Sequence, residues 1–318
     1  MKTYNLKGLK EIKGDASFRK FFRKKKNNFS SIIIFAEKEK EKNLLQYDAV
    51  NNILIKNRIL APRLFNEKYS EGFIEVEDFG NDTIYKILKN KNINRLKYFK
   101  KIIKLLNQIQ LIKDVNIKNF KNKNYKVPTY NKKILFDEAN LFCNWYIKSK
   151  LLKKNEIEFR KQFKKIIKKL ISNLKLKNNT FVHRDFHVSN LMLKKNKIGV
   201  IDSQDALIGN KAYDLASLID DVRLKTSDLF KVKVFKYYIK TQIRIDKKKF
   251  QNDFQILSVL RNLKIIGIFT RLSIRDKKNN YLKLIPYTWV LLNKRIKENK
   301  IFDELKILLN KHLAEQIK

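Results

Sequence analysis

Residues Phe181–Asp221 read FVHRDFHVSNLMLKKNKIGVIDSQDALIGNKAYDLASLIDD. After apolar Phe181 and Val182, the stretch packs His183, Asp185, His187 and Asn190 close together. Two short apolar runs follow, Leu191–Leu193 and Ile198–Ile201, joined by a Lys-Lys-Asn-Lys turn, and Asp202 and Asp205 stand at their end. This pattern predicts a hairpin with polar oxygens at both of its ends. Strands hold carboxylates still while loops admit a ligand. Magnesium takes oxygen ligands and is usually held by one or two carboxylates together with substrate phosphates. Asn190 and Asp202, drawn together by the hairpin, form such a pair. Asp185 is then free to orient a hydroxyl and accept its proton, and phosphoryl transfer needs little more than positioning and charge neutralisation.

The rest of the chain suits a packed globular protein. With 318 residues it can bury one large core or two linked lobes, and its 43% hydrophobic and 12% aromatic content excludes a disordered chain. The single cysteine, Cys143, rules out an internal disulfide and fits a reducing compartment. Neither a signal pattern near Met1 nor an apolar run of bilayer length appears, so a cytoplasmic location is expected. The net charge of +42 raises the question of nucleic-acid binding. The lysines are spread along the whole chain without a recognisable nucleic-acid motif, and Lys, Asn and Ile are abundant throughout. Compositional drift is the better reading, and a nucleic-acid partner is not expected. Such a charge still steers anionic substrates inward.

Taken in order, residues 1–80 read as strand-rich with one helix. Gly14-Asp15-Ala16-Ser17 forms a small-residue turn that lets backbone amides approach phosphate oxygens. Ser31–Ala36 reads as a buried strand, and Lys42–Asn57 carries apolar residues at helical spacing. Ala61–Phe65 and Gly72–Val76 read as further strands. Beyond residue 80 the pattern turns helical, over Ile93–Ile112, Ile157–Leu174 and the segment from Leu229 onward. Leu135–Tyr146 is an aromatic-rich helix whose rings suit a core better than a ligand box.

The spacing H-x-D-x-x-x-x-N, followed by an apolar strand pair and Ile201-Asp202, resembles the catalytic and metal loops of protein-kinase-like enzymes. More narrowly it resembles the aminoglycoside phosphotransferase and choline kinase branch, which the Tyr213-Asp214-Leu215-Ala216 segment also matches. That resemblance implies an α+β, protein-kinase-like fold of two lobes. Residues 1–80 would form a small β-rich nucleotide-binding lobe, and 81–318 a larger helical lobe bearing the catalytic and metal loops.

Several segments scattered over nearly the whole chain are similar to one subfamily, the bacterial anomeric kinases of N-acetylmuramate and N-acetylglucosamine. They include Gly14–Arg19, Glu39–Glu41, Glu77–Gly80, Phe136–Tyr146, His183–His187, Gln204–Ala206 and Arg261–Phe269. The resemblance implies transfer of the ATP γ-phosphate to a reducing-end hydroxyl, giving an α-1-phosphate sugar for cell-wall recycling. Under it, Asp185 is the base, and Asn190 and Asp202 hold Mg2+. Gly14, Asp15, Ala16 and Ser17 lie over the phosphates of ATP, Glu77 belongs to the hinge, and Asp205 is assigned to metal or sugar. His183 and Asp214 brace the loop by hydrogen bonds.

Two departures stand out. Ser203 follows the metal-binding Asp202 where the family usually has Phe or Trp, which puts the packing beneath that loop in question. The strand Ser31–Ala36 also lacks the lysine with which protein kinases grip phosphates. Lys40 is the substitute chosen, with Lys38 and Lys42 as equally charged neighbours. Two alternatives stay open. One is a kinase of the same fold acting on an aminoglycoside or choline-like alcohol; the other is a non-catalytic nucleotide- or nucleic-acid-binding protein.

Overall fold

The structure, a computed structural model, describes residues 9–12, 19–27, 29–36, 42–90 and 92–316. The chain divides into two compact units. The first comprises the described residues up to Pro128 together with Thr180–Ile208, and the second Thr129–Asn179 with Gly209–Lys318.

The first unit is built on a five-stranded antiparallel sheet in the order β1-β2-β3-β5-β4. Its strands are β1 (Lys10–Ile12), β2 (Lys20–Lys26), β3 (Phe29–Phe35), β4 (Leu64–Lys68) and β5 (Phe73–Glu77). The β-branched run Ile32–Ile34 puts side chains on both faces of the pleat, and α1 (Lys42–Lys56) covers one of them. Ile34, Leu44, Tyr47, Ile74 and Val76 form that core. Gly72, with φ of 77°, permits the turn into β5, where a Cβ would stand 2.5 Å from the Ala36 carbonyl oxygen.

After the sheet come α2 (Ile84–Lys89), α3 (Arg95–Gln110) and a hairpin of β6 (Asn116–Lys118) with β7 (Asn124–Lys126). Thr83 caps α2 by accepting a hydrogen bond from the Lys86 amide at 3.1 Å. β8 (Asn178–Val182) leads into the His183–Asn190 loop and β11 (Leu207–Asn210) leads out of the segment. Between them lies the expected hairpin, β9 (Leu191–Lys194) with β10 (Lys197–Val200), closed by Lys195 and Asn196 in left-handed conformation.

The second unit is helical. It contains α4 (Lys132–Ala139), a π-helical turn over Phe142–Ile147, α5 (Lys148–Lys150) and α6 (Lys153–Ser172). It continues with α7 (Tyr213–Ile219), α8 (Asp228–Lys240), α9 (Lys247–Ile274), α10 (Ile285–Lys297) and α11 (Asp303–Leu313). The 28-residue α9 runs through its middle, with Ser258–Gly267 buried throughout. Among its buried ions, Asp220 binds Arg295 at 3.0 Å and accepts a hydrogen bond from Ser258, and Lys231 lies 3.5 Å from it. Glu138 takes Lys264 at 2.8 Å together with the Tyr130 hydroxyl, tying α4 to α9 inside the Arg261–Phe269 segment.

Two expected elements differ from the sequence reading. β4 begins at Leu64 instead of Ala61, because the Pro62 carbonyl is taken by the Asn51 side chain at 3.0 Å. A single helix over Leu135–Tyr146 is replaced by α4 followed by the π-turn. The turn lies against Gly267 of α9, whose missing side chain lets the Leu141–Phe142 backbone come close. The aromatics do serve the core, since Phe142 is fully buried and stacks on Tyr146 at 5.3 Å. Among the described residues, no helix is long and apolar enough to cross a membrane.

Candidate active site

Hairpin register explains how Asn190 and Asp202 meet. Leu191 pairs with Val200, so the next rung joins the Ile201 amide to the Asn190 carbonyl at 3.0 Å, and Asp202 follows directly. The loop before the hairpin folds on itself. The Asp185 carbonyl accepts from the His187 amide at 3.0 Å and from the Asn190 side-chain nitrogen at 3.1 Å. With its nitrogen engaged, the Asn190 amide has its oxygen left as the end for a cation.

Asp202 accepts hydrogen bonds at Oδ1 from Arg19 (2.5 Å) and Gln204 (3.1 Å), and its side chain stays 40% exposed. No partner of Oδ2 is found among the described residues. A carboxylate oxygen and an amide oxygen, both on one cavity, are hard donors of the kind magnesium takes. His183 is fully buried, and its Nε2 lies 3.1 Å from the Ile201 carbonyl, just before Asp202. Burial holds its imidazole below the ordinary 6.5, against the pull of Asp185 and Asp202. Arg184 and Asp202 both have positive φ, 72° and 63°, in a region uncommon for residues with a Cβ. Such strain gathers where surrounding contacts dictate the backbone, as at functional loops.

Asn190 and Asp202 border a cavity of about 390 Å³. Its sheet side is apolar, from Ile12, Phe21, Ile32, Ile34 and Val76, and Met192 and Ile201 also line it. Its edge is Glu77–Asn81, and Asn190 and Asp202 stand in the same lining. An apolar slot bordered by backbone and ending in oxygen ligands suits a flat base with phosphates attached. The edge is held firmly. Glu77 pairs with Lys194 at 2.6 Å, and Lys194 also donates to the Asp78 carbonyl at 3.0 Å. Asp78 is partly buried, which raises its pKa, but hydrogen bonds from Ser30, Gly80 and Arg23 bring it below the usual carboxylate range.

Asp185, Glu77, Asn190, Asp202 and Asp205 thus all fall in the first unit, and three of them line the cavity. Asp205 accepts from Gln204 at 3.0 Å, and its carbonyl accepts from Arg184 at 3.0 Å. Gly14, Asp15, Ala16, Ser17 and Lys40 lie outside the described residues. Sequence reading gave no role to Arg19, Tyr47, Asn51 and Gln204, which surround Asp202 and Ser203. Arg19 meets Asp202 across 183 residues, a pairing that leaves no local signal in the sequence.

A β-rich unit carrying a catalytic-type loop, joined to helices, is the architecture of kinase-like phosphotransferases. A model of the phosphotransferase enzyme family matches residues 8–246, well over half of the chain, and the chain belongs to that family. Two relatives are N-acetylmuramate/N-acetylglucosamine kinases. The one from Pseudomonas aeruginosa is 29% identical over 86% of this chain and 79% of its own. The one from Neisseria meningitidis is 26% identical over 86% and 80%. An ADP-bound aminoglycoside phosphotransferase shares the fold at a TM-score of 0.58 and 16% identity, covering 92% of this chain and 93% of its own.

Proposed function

We propose that the protein is an ATP- and Mg2+-dependent kinase that phosphorylates the anomeric hydroxyl of N-acetylmuramate, N-acetylglucosamine or both. The observation that carries the chemistry is the shared cavity, on which the Glu77–Asn81 edge and the oxygens of Asn190 and Asp202 converge. The acceptor class is supported by the two relatives of that name, each aligned over most of this chain. The recycling of cell-wall sugars in the cytoplasm is the setting such a reaction fits.

In this reading the base of ATP lies in the apolar slot, with residues 1–80 acting as the nucleotide-binding lobe and 81–318 carrying acceptor and catalytic groups. The Asn190 amide oxygen and the Asp202 carboxylate would hold Mg2+, which would supply positive charge to offset that of the phosphates. Asp185 orients the anomeric hydroxyl and takes up its proton at a carboxylate oxygen as the new P–O bond forms and ADP departs. Asp205, fixed by Gln204, is assigned to the metal or sugar side.

The test is turnover of Mg-ATP with each amino sugar, with the product checked for acid lability. A phosphomonoester at the anomeric carbon hydrolyses in mild acid, whereas one at another hydroxyl survives and would overturn the assignment.

A further inference from the structure

We propose that Arg19 is the phosphate-binding cation of the nucleotide site, shared between Asp202 and a nucleotide phosphate. The inference rests on reading this cavity as a nucleotide–metal site. It starts from a deficit: β3, at the centre of the sheet, carries no lysine or arginine. Triphosphate entering an apolar slot needs a cation near its phosphates.

Among the described residues, Arg23 and Lys86 are the cations that line the cavity, and both are engaged elsewhere. Arg23 binds Asp78 (2.6 Å), Asn81 (2.7 Å) and the Gly80 carbonyl (2.9 Å). Lys86 donates to the Asn81 carbonyl at 2.9 Å. Both therefore brace the cavity edge, away from Asn190 and Asp202 in sequence and in bonding.

Arg19 does not itself line the cavity but pairs with Asp202, which does. Its guanidinium is 2.5 Å from the Asp202 carboxylate, a cavity-lining group, and 3.0 Å from Gln204 Oε1. It is 95% buried, packed over Phe21 at 5.6 Å and over Tyr47 at 5.7 Å. A planar fork fixed by two rings and one amide is a built cation, because little side-chain freedom remains to be lost when it binds an anion. Bidentate geometry also suits phosphate oxygens. On nucleotide binding, Arg19 keeps Nη1 on Gln204 and shares Nη2 between Asp202 and a phosphate oxygen.

The two ligands respond with opposite signs, and comparison with a charge-conserving lysine separates a lost phosphate contact from the mere loss of positive charge beside Asp202. In Arg19→Gln, Asp202 loses its counter-charge, so Mn2+ alone, titrated by electron paramagnetic resonance, binds roughly three- to tenfold tighter. Metal-free ADP, measured by calorimetry, loses a charge-assisted hydrogen bond and binds roughly tenfold or more weaker. Arg19→Lys keeps the charge but not the fork, and falls between the two in both titrations. It also carries the test should the glutamine variant fold poorly.

Weakening of both ligands in parallel, or no change in either, would overturn the proposal while leaving the kinase reading intact. Failure of the wild-type protein to bind ADP or Mn2+ would overturn both together.

Discussion

Ser203 Oγ donates a hydrogen bond to Asn51 Oδ1 across 2.6 Å, with both side chains buried. The nitrogen of the same Asn51 amide donates to the Pro62 carbonyl at 3.0 Å. One side chain of α1 therefore reaches both the residue after Asp202 and the approach to β4. Ser203, standing where the family resemblance implies an aromatic, is accounted for: a polar link from α1 takes the place of ring packing.

Ser203→Ala strands the Asn51 oxygen without its donor inside the unit. A loss of about 1–3 kcal/mol in unfolding free energy is expected. Asn51→Ala should cost more, since it also removes the bond to the Pro62 carbonyl, and the double variant less than the sum of the two, because both single changes delete the shared bond. Denaturant midpoints measure all three. Full additivity would show that the bond does not link the two residues energetically.

The Glu77–Lys194 pair is only part-exposed, and the Lys194 ammonium also lies 4.7 Å from the Phe79 ring. Lys194→Met should raise KM for ATP a few-fold with kcat nearly unchanged, since the pair braces the base-binding edge and touches no transferred group. Stability should shift by less than about 1 kcal/mol. A drop in kcat at constant KM would contradict this role.

His183 gives the fold an acid-sensitive point. Its folded pKa is depressed by burial, while the unfolded chain takes up the proton near the ordinary 6.5, as Asp185, Asp202 and Asp205 only partly offset that burial. Between those two values the unfolded state binds more protons, so stability is complete above about 6.5 and declines as pH falls toward the folded value. Thermal melts from pH 7.5 down to 5.5 should show the decline, and His183→Gln should flatten it. An unchanged slope in the variant would move the effect to other groups.

Gly267 sets the approach of α9 to the π-turn. A Cβ there would lie 2.3 Å from the Leu141 carbonyl carbon and 2.6 Å from the Phe142 nitrogen, so backbone must move. Gly267→Ala should destabilise by about 1–3 kcal/mol, despite the better helix propensity of alanine. An unchanged denaturant midpoint would show that the two segments separate freely.

Much of the site was legible because it is local. Asn190, Asp202 and the hairpin joining them lie within one short stretch, and alternating strands fix which residues meet at its ends. The α+β class was legible as well, from β-branched runs before residue 80 and helical periodicity after it. Contacts between distant segments were not. Arg19 meets Asp202 across 183 residues, and Asn51 meets Ser203 across 152, with nothing in either neighbourhood to announce the partner. Glycine 267 likewise reads as a weak point in a helix until the backbone it admits is seen. The π-turn was illegible for a different reason: apolar residues crowd Leu141–Ile147 so evenly that no helical period separates one winding from another.

The central claim is tested most directly by ATP consumption over N-acetylmuramate, N-acetylglucosamine, an aminoglycoside and choline, comparing wild type with Asp185→Asn. The account predicts Mg2+-dependent turnover on at least one amino sugar, an acid-labile 1-phosphate as product, and a loss of roughly 10²–10⁴ in kcat in the variant, which still binds ADP. Turnover confined to the aminoglycoside or choline, or amino-sugar turnover that survives Asp185→Asn, would contradict it.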